Sequence, residues 1–222
     1  LTHAVKSVAN NLDTQVKGVP IVFYNASGFE TTDIVSIEIE APHFPKEVTV
    51  YDEQGKKVNS QLVSYTDGNV QLLVEATVPA VGYVVYDVRL AGSEKEMAIT
   101  EATNIENSFY KLMLDENGDI VSLFDKKNNK ELVKAGKAIR LALFTENESL
   151  SWPAWEVLKK TIDRTPISIT SNVKMTLCEN GELRKTLCVE KSHGGSFFRQ
   201  YIHLYEGALA HRIDFINEID WQ

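Results

Sequence analysis

Residues 115–133 read DENGDIVSLFDKKNNKELV, and this stretch decides the fold class. Its centre, IVSLF, reads as a strand with apolar residues on alternate sides. The Asn117-Gly118 pair before it is a strong hairpin signal because both positions tolerate a positive φ. The polar run DKKNNK after it predicts a second turn. We therefore expect one strand held between two turns, in a stretch that contains no catalytic motif.

The same organisation extends over most of the chain. From residue 19 onward, short runs rich in Val, Ile and Tyr alternate with period two and are separated by turn signals such as Glu53-Gln54-Gly55-Lys56. Runs spaced this closely predict antiparallel strands closed into a sandwich or barrel, not βαβ units. We therefore predict a mainly β fold.

Two further hairpins are predicted, at Glu179-Asn180-Gly181-Glu182 and at His193-Gly194-Gly195-Ser196. The last run, AHRIDFINEIDW, reads as another alternating strand. A polar stretch over residues 91–104 is the best candidate boundary between two β units. The sequence thus predicts one unit over 19–91 and a second over 92–222.

The first segment, residues 1–18, has a different period. In LTHAVKSVANNLDTQVKG the apolar residues fall three or four apart, which places them on one helical stripe, and a glycine ends the pattern. We expect one N-terminal helix here. Its apolar face needs a partner, so the helix either lies against the β structure or is the last helix of a bundle.

Composition and charge limit the function classes. The chain has 222 residues, of which 43% are hydrophobic and 24% charged, as in ordinary folded proteins. A net charge of -8, with Lys and Arg scattered along the chain, argues against a nucleic-acid partner. No apolar run approaches the roughly 18 residues of a membrane helix, and the first residues lack signal-peptide features. We expect no membrane partner and a cytoplasmic location.

The two cysteines, Cys178 and Cys188, flank the predicted turn ENGELRKTL and are placed to face each other across a hairpin. Two thiols make no disulfide framework and fit no zinc spacing, so we interpret both as free thiols in a reducing compartment, with a disulfide as the alternative. Asn25-Ala26-Ser27 and Asn147-Glu148-Ser149 fit the glycosylation acceptor pattern, which matters only in a secreted eukaryotic protein.

Four separated motifs carry a resemblance to a known family. NSFYKLMLDENGDIVSLFDKKNNKELV resembles the signature at the start of the C-terminal β region of glycoside hydrolase family 38, the α-mannosidases. Further elements of that family are resembled, in the same order, by IVFYNASGFETTDIVSIEI, SWPAWEV and GALAHRIDFINEIDW. The chain departs from the family pattern where Tyr24 precedes Asn25 and where Thr31 or Thr32 stands in place of a common Arg.

The resemblance implies a fold. It makes residues 1–18 the terminal helix of a helix bundle and residues 19–91 a small β-sandwich. Residues 92–222 would be the first part of a supersandwich like that of galactose mutarotase.

The resemblance also implies a function. Family 38 enzymes are retaining mannosidases whose nucleophilic Asp and divalent metal, with zinc the expected ion, lie in an N-terminal α/β domain without a counterpart in this sequence. The chain is then the non-catalytic C-terminal portion of an enzyme that hydrolyses terminal α-mannosyl linkages. Its implied partners are that catalytic domain and a mannose-containing oligosaccharide. Truncated sheet edges would favour self-association.

Candidate site residues are few. The five histidines do not cluster with carboxylates, so we assign no metal ligand, no cofactor and no catalytic residue. Sugar sites combine aromatic faces with carboxylates, which makes Trp152, Trp155 and Glu156 the candidate substrate-adjacent residues. The alternative is a Trp wedged between domains. Three acidic residues in the last run read as solvated strand positions opposite a core face: Asp214, Glu218 and Asp220.

Three other functions stay open. A free-standing carbohydrate-binding β-sandwich module explains the tryptophans and predicts affinity for mannosides. An aldose epimerase-like protein shares the supersandwich, but it needs a His and a Glu acting as acid and base across a sugar pocket. A purely structural β module is the third.

Overall fold

The computed structural model describes residues 7, 11–92, 99–144 and 147–222. The chain divides into two compact units that interleave in sequence. The first comprises residues 1–98, 179–184 and 205–211, and the second comprises residues 99–178, 185–204 and 212–222. Antiparallel strand pairs are found in both units, which confirms the mainly β prediction.

The first unit is a sandwich of two sheets. Its strands are β1 (Val19–Asn25), β2 (Thr31–Glu40), β3 (Glu47–Tyr51), β4 (Lys57–Val58), β5 (Ser60–Thr66), β6 (Asn69–Val78) and β7 (Gly82–Ala91). One sheet has the order β1-β7-β3-β4 and the other β2-β6-β5. Alternate residues of both sheets form one core, with Val50 and Val88 from the first sheet and Leu72 and Val74 from the second fully buried.

The second unit is built from β8 (Thr100–Glu101), β9 (Asn104–Glu106), β10 (Tyr110–Leu114), β11 (Ile120–Asp125), β12 (Lys130–Glu131), β13 (Ala142–Leu143), β14 (Ile167–Ser168), β15 (Ser171–Asn180), β16 (Arg184–His193), β17 (Ser196–Tyr205) and β18 (Ile213–Asp220). A short helix spans Lys159–Ile162, and a 3-10 turn in the first unit spans Gly207–Leu209.

Two sheets of the second unit share a core. Their strand orders are β12-β11-β10-β9 and β18-β17-β16-β15-β8, and a separate small sheet pairs β13 with β14. Leu112 and Ile120 from the first sheet pack with Leu187 and Ile202 from the second, and each is at most 1% exposed. The opening stretch therefore forms part of one layer of a sandwich.

The predicted turn before β11 is present and is organised by a side chain. Gly118 has a φ of 68°, whereas Asn117 is outside the left-handed region. Asp115 organises the turn, because its Oδ1 accepts the backbone N–H groups of Asn117 (2.9 Å) and Asp119 (3.0 Å). The predicted hairpin is confirmed by the antiparallel pairing of β10 with β11, and the Asp115 side chain lets the turn form without a positive φ at Asn117. At the β16–β17 turn, Gly194 and Gly195 both have positive φ.

The predicted helix over residues 1–18 lies partly outside the described residues, since residues 1–6 and 8–10 are not described. Ser7 is helical, but residues 11–18 form a turn followed by irregular chain, so no helix reaches Gly18. Gly18 instead donates its N–H to Asp87 Oδ1 on β7 (2.7 Å). In the described part of the chain, no helix has the length and apolar character needed to cross a membrane.

Candidate functional site

In the family-like signature around residue 115, several polar side chains form hydrogen bonds with backbone groups. Asn107, which is 4% exposed, accepts the N–H groups of Phe109 (2.9 Å) and Tyr110 (2.6 Å) at its Oδ1. Lys126 Nζ donates to the Asn107 carbonyl (2.5 Å) and pairs with the Glu106 carboxylate. The hydrogen bond from Lys126 lowers the pKa of Glu106. These residues close the hairpin and offer no free catalytic group.

Glu131, which closes the signature, has a similar role. Its carboxylate accepts from Ser122 Oγ (2.7 Å) and from the N–H groups of Leu123 (2.8 Å) and Val133 (2.9 Å). The bond from Ser122 and those from the backbone lower the pKa of Glu131. The carboxylate is therefore fixed as an acceptor within its own sheet.

A buried ion pair lies next to the turn, and no local sequence pattern predicts it. Lys191 Nζ on β16 contacts Asp119 Oδ1 at 2.5 Å, and the two side chains are only 3% and 7% exposed. The turn also packs closely here, because a Cβ on Gly118 would lie 2.5 Å from Val189 Cγ1. The pair and the glycine together fix the hairpin on the larger sheet.

The candidate sugar-contacting residues lie on one loop, residues 147–158, which is held by its own polar side chains. Asn147 Nδ2 donates to the carbonyl oxygens of Pro153 (2.8 Å) and Glu156, and Asn147 Oδ1 accepts from Leu158 N (3.4 Å). Ser149 Oγ accepts from Trp152 N (3.1 Å). The loop shape thus depends on Asn147 and Ser149, two residues of the turn-forming types that the sequence-based prediction had not selected.

Both candidate tryptophans of this loop are exposed. The exposed fraction is 67% for Trp152 and 90% for Trp155, and the backbone N–H of Trp155 donates to the Trp152 carbonyl (3.0 Å). The apolar residues Leu150 and Val157 on the same loop are exposed as well. Within the second unit, therefore, neither indole is wedged into a core.

The carboxylates of the loop have different surroundings. Glu156 Oε1 accepts from Ser149 Oγ (2.6 Å), and Oε2 has no partner among the described residues. Both oxygens of Glu148 are occupied by Lys160 and Arg164. The structure thus brings Trp152, Trp155 and Glu156 together on one exposed loop. The two indole faces are available to apolar C–H groups, and one carboxylate oxygen is available to a hydroxyl group.

The glycosylation acceptor patterns coincide with structural asparagines. Asn147 Nδ2 is engaged as described above, and Asn25 Nδ2 donates to the carbonyl oxygens of Phe29 (2.8 Å) and Val78 (3.1 Å). A glycan on either nitrogen would replace a hydrogen bond that closes a loop.

The acidic residues of β18 face arginines or solvent. Asp214 contacts Arg212 at 2.7 Å, and Glu218 contacts Arg199 at 3.1 Å. Arg199 also contacts Glu190 at 2.7 Å. The hydrogen bonds that the Arg199 guanidinium donates to Glu190 and Glu218 raise its pKa. Asp220 accepts from Gln222 Nε2 (2.7 Å).

On the opposite side of β18, only Ile213 packs against the core of the second unit. The exposed fractions of Phe215 and Ile219 are 38% and 54%, and Trp221 just beyond the strand is 64% exposed. Since β18 is also the last strand of its sheet, its outer edge has no strand partner among the described residues.

No metal centre is found among the described residues, which contain no group of three or more His, Cys, Asp or Glu arranged to hold an ion. His203 is 9% exposed, and its Nδ1 lies 2.7 Å from Thr186 Oγ1. This buried contact does not present His203 as a free acid or base. Cys178 and Cys188 are not joined in a disulfide, the Cys178 thiol donates to the Thr186 carbonyl (3.5 Å), and burial raises the pKa of Cys188.

A mainly β chain in which polar side chains of the signature bond to backbone groups has the architecture of β-sandwich domains. The family model for the glycosyl hydrolases family 38 C-terminal domain matches residues 105–222, more than half of the chain. The chain belongs to this family. It is also 26% identical over 226 residues to alpha-mannosidase G from Dictyostelium discoideum, an alignment that covers 90% of this chain and 19% of that relative. The resemblance in the four motifs is thereby confirmed.

Proposed function

We propose that this chain is the non-catalytic C-terminal portion of an α-mannosidase that hydrolyses terminal α-mannosyl linkages in oligosaccharides. The observation that carries the proposal is the match of residues 105–222 to the family 38 C-terminal domain. The α-mannosidase relative supports it, because it aligns with 90% of the chain. Since the chain spans 19% of that relative, the chemistry would be carried out by residues outside this chain.

In this proposal, the chain frames the active site and stabilises a catalytic domain, which would be its main partner. The catalytic domain would also hold the divalent metal, with zinc the expected ion. Support for a framing role comes from the loop of residues 147–158, whose exposed indoles are suited to the C–H side of a pyranose. The free oxygen of Glu156 is suited to a sugar hydroxyl. A cytoplasmic location remains part of the proposal.

The first test is hydrolysis of an aryl α-mannoside, with added zinc or calcium, by the 222-residue chain and by a longer protein that includes the upstream coding region. We expect activity only in the longer protein. Activity in the 222-residue chain would overturn the non-catalytic assignment, and inactivity of both proteins towards α-mannosides would overturn the mannosidase assignment.

The framing role is tested in the longer protein with Trp155→Ala. Loss of one aromatic contact with sugar, worth about 1 kcal/mol, should raise KM about fivefold while kcat changes little. Leu150→Ala is the matched control, because Leu150 is an equally exposed apolar residue of the same loop. An unchanged KM in both Trp152→Ala and Trp155→Ala would remove the loop from the site.

The exposed tryptophans also favour a second candidate, a carbohydrate-binding module that acts without a catalytic domain. It predicts that the 222-residue chain binds mannosides by itself and that Trp155→Ala abolishes this binding. Calorimetric titration with mannose oligosaccharides separates the two candidates, because the framing role requires the catalytic domain for measurable affinity.

We also propose that the isolated chain associates with a second copy through the unpaired edge of β18 and its apolar side chains. Sedimentation of the 222-residue chain should show dimers or larger species, and Phe215→Lys should shift them toward monomer. A sharply monomeric chain that binds no hydrophobic dye would contradict this part of the proposal.

A further inference from the structure

The sheet β2-β6-β5 of the first unit is buried on both faces near its centre. One face packs in the main core, and the other carries a separate apolar cluster in which Val63 is 6% exposed and Leu73 is 1% exposed. The third buried member is Leu183, also 1% exposed, from the turn between β15 and β16. The outer face of this sheet is therefore covered by a segment that lies 110 or more residues further along the chain.

Gln61 on β5 binds this turn through three backbone groups. Its Oε1 accepts the N–H groups of Leu183 (2.9 Å) and Arg184 (2.8 Å), and its Nε2 donates to the Arg184 carbonyl (3.0 Å). Gln61 is only 7% exposed. These three hydrogen bonds therefore take the place of most of the bonds that its amide group would make with water. A buried amide deprived of such partners is destabilising.

The turn itself is shaped for this contact. A Cβ on Gly181 would lie 2.0 Å from Gln61 Cδ, so the approach leaves no room for a side chain. Arg184 and Glu179 bracket the turn with an ion pair at 2.7 Å, in which each side chain is 12% exposed. Burial alone would lower the pKa of Arg184, but the hydrogen bond that it donates to Glu179 raises it, which keeps the guanidinium charged.

A second attachment lies on β6. Glu75 Oε1 accepts the N–H of Ala208 (2.7 Å), while its Oε2 accepts from Asn59 Nδ2 (2.8 Å). Gly207 has a φ of 63°, and a Cβ there would lie 2.4 Å from Glu75 Oε1. Residues 205–211 are thus fixed on the first unit by a side chain that also links β6 to Asn59.

We infer that residues 179–184 and 205–211 form a latch that completes the first unit. Residues 11–92 consequently reach their full stability only when the chain through residue 211 is in place. Without the latch, Val63 and Leu73 would lie on an uncovered sheet face and Gln61 would lose its three backbone partners. The small sandwich is therefore not an excisable module, whatever the activity of the intact protein.

Hydrogen exchange of the full chain, followed by mass spectrometry, tests this inference. Gln61→Ala should reduce the protection of residues 181–185 about tenfold, as expected for loss of their side-chain partner, and should also speed exchange in β5 and β6. The matched control is Gln71→Ala. Gln71 lies in the same sheet, but it bonds only Ser36 (3.0 Å) and Ser64 (3.0 Å) of that sheet, so residues 181–185 should keep their protection.

Two further variants keep the test decisive. Gly181→Ala should give the same exchange pattern as Gln61→Ala, because its Cβ displaces the Gln61 side chain. If Gln61→Ala does not fold, Glu75→Ala should release residues 205–211 and speed exchange in β6. The inference would be overturned if a latch segment lost its protection while exchange in β5 and β6 stayed unchanged. It would also be overturned if both segments kept full protection in all three variants.

Discussion

Two regions of the second unit are closed by similar polar side chains but differ in the exposure of their apolar residues. The hairpin of residues 115–133 and the loop of residues 147–158 are both closed by Asn, Ser, Asp or Glu side chains bonded to backbone. In the hairpin, apolar residues on one face of β11 are buried, with Ile120 1% and Leu123 8% exposed. In the loop they face solvent, with Trp155 90% exposed.

The difference separates residues that determine the fold from residues that are free to bind. Burial of a side chain such as Ile120 contributes about 1.5–3 kcal/mol to stability, so the hairpin is fixed by its place in the core. The loop gains nothing comparable from its exposed indoles. Its geometry depends on polar contacts such as those of Asn147 and Ser149, and its aromatic surface remains available to a ligand or to another domain.

The largest stability change in this comparison is expected from Asp119→Ala in the hairpin. It leaves the Lys191 ammonium buried and unpaired, which should lower the free energy of unfolding by about 3–5 kcal/mol in a urea titration. The matched control is Asp163→Ala beside the loop, where the ion pair with Lys159 is exposed and should contribute nothing measurable.

A double variant separates loss of the ion pair from loss of the charge. Asp119→Leu combined with Lys191→Met removes both charges and should be less destabilised than Asp119→Ala. If Asp119→Ala and Asp163→Ala gave equal urea midpoints, the buried pair would have no special role.

A smaller effect is expected at the turn glycine. Gly118→Ala must take a φ of 68° and place a Cβ 2.5 Å from Val189, so we expect a loss of about 2–4 kcal/mol. Gly136→Ala is the control, because Gly136 has a φ of 70° with no atom near its Cβ position, and it should cost about 1 kcal/mol. Equal losses would mean that close packing at Val189 is unimportant.

The effect of pH should be smaller again. Because the folded-state pKa of Glu131 is lowered, its carboxylate contributes stability above the usual glutamate pKa, and this contribution is lost as the pH falls through the lowered value. Glu131→Gln should therefore be destabilised by up to about 1 kcal/mol at pH 7 and by less at pH 3. Glu116→Gln is the control, since the Glu116 carboxylate has no partner among the described residues. A Glu131→Gln difference that grew at low pH would contradict the assignment.

The sequence predicted the features that depend on local chemistry. Strand positions follow from the period-two pattern, and turns such as Gly194-Gly195 follow from the φ that glycine tolerates. At Asn117-Gly118 the sequence predicted the hairpin but not the hydrogen bonds by which the Asp115 side chain organises the turn.

Contacts between distant residues could not be predicted in this way. Lys191 lies 72 residues from Asp119, and Gln61 lies 122 residues from Leu183. No local pattern marks such pairs, because a Lys or a Gln on a strand usually faces water. For the candidate site, residue type alone selected Trp152, Trp155 and Glu156, but their exposure depends on the bonds made by Asn147 and Ser149.

The smallest stability effect is expected from Trp155→Ala in the 222-residue chain. With 90% of its surface exposed, the indole contributes little to folding, and the free energy of unfolding should change by less than about 0.5 kcal/mol. A large aromatic residue that stability does not require is then available for binding. A loss above about 1 kcal/mol in the same urea titration would instead show that Trp155 packs against protein. The wedge interpretation would then replace the sugar contact, and the contrast with the hairpin would disappear.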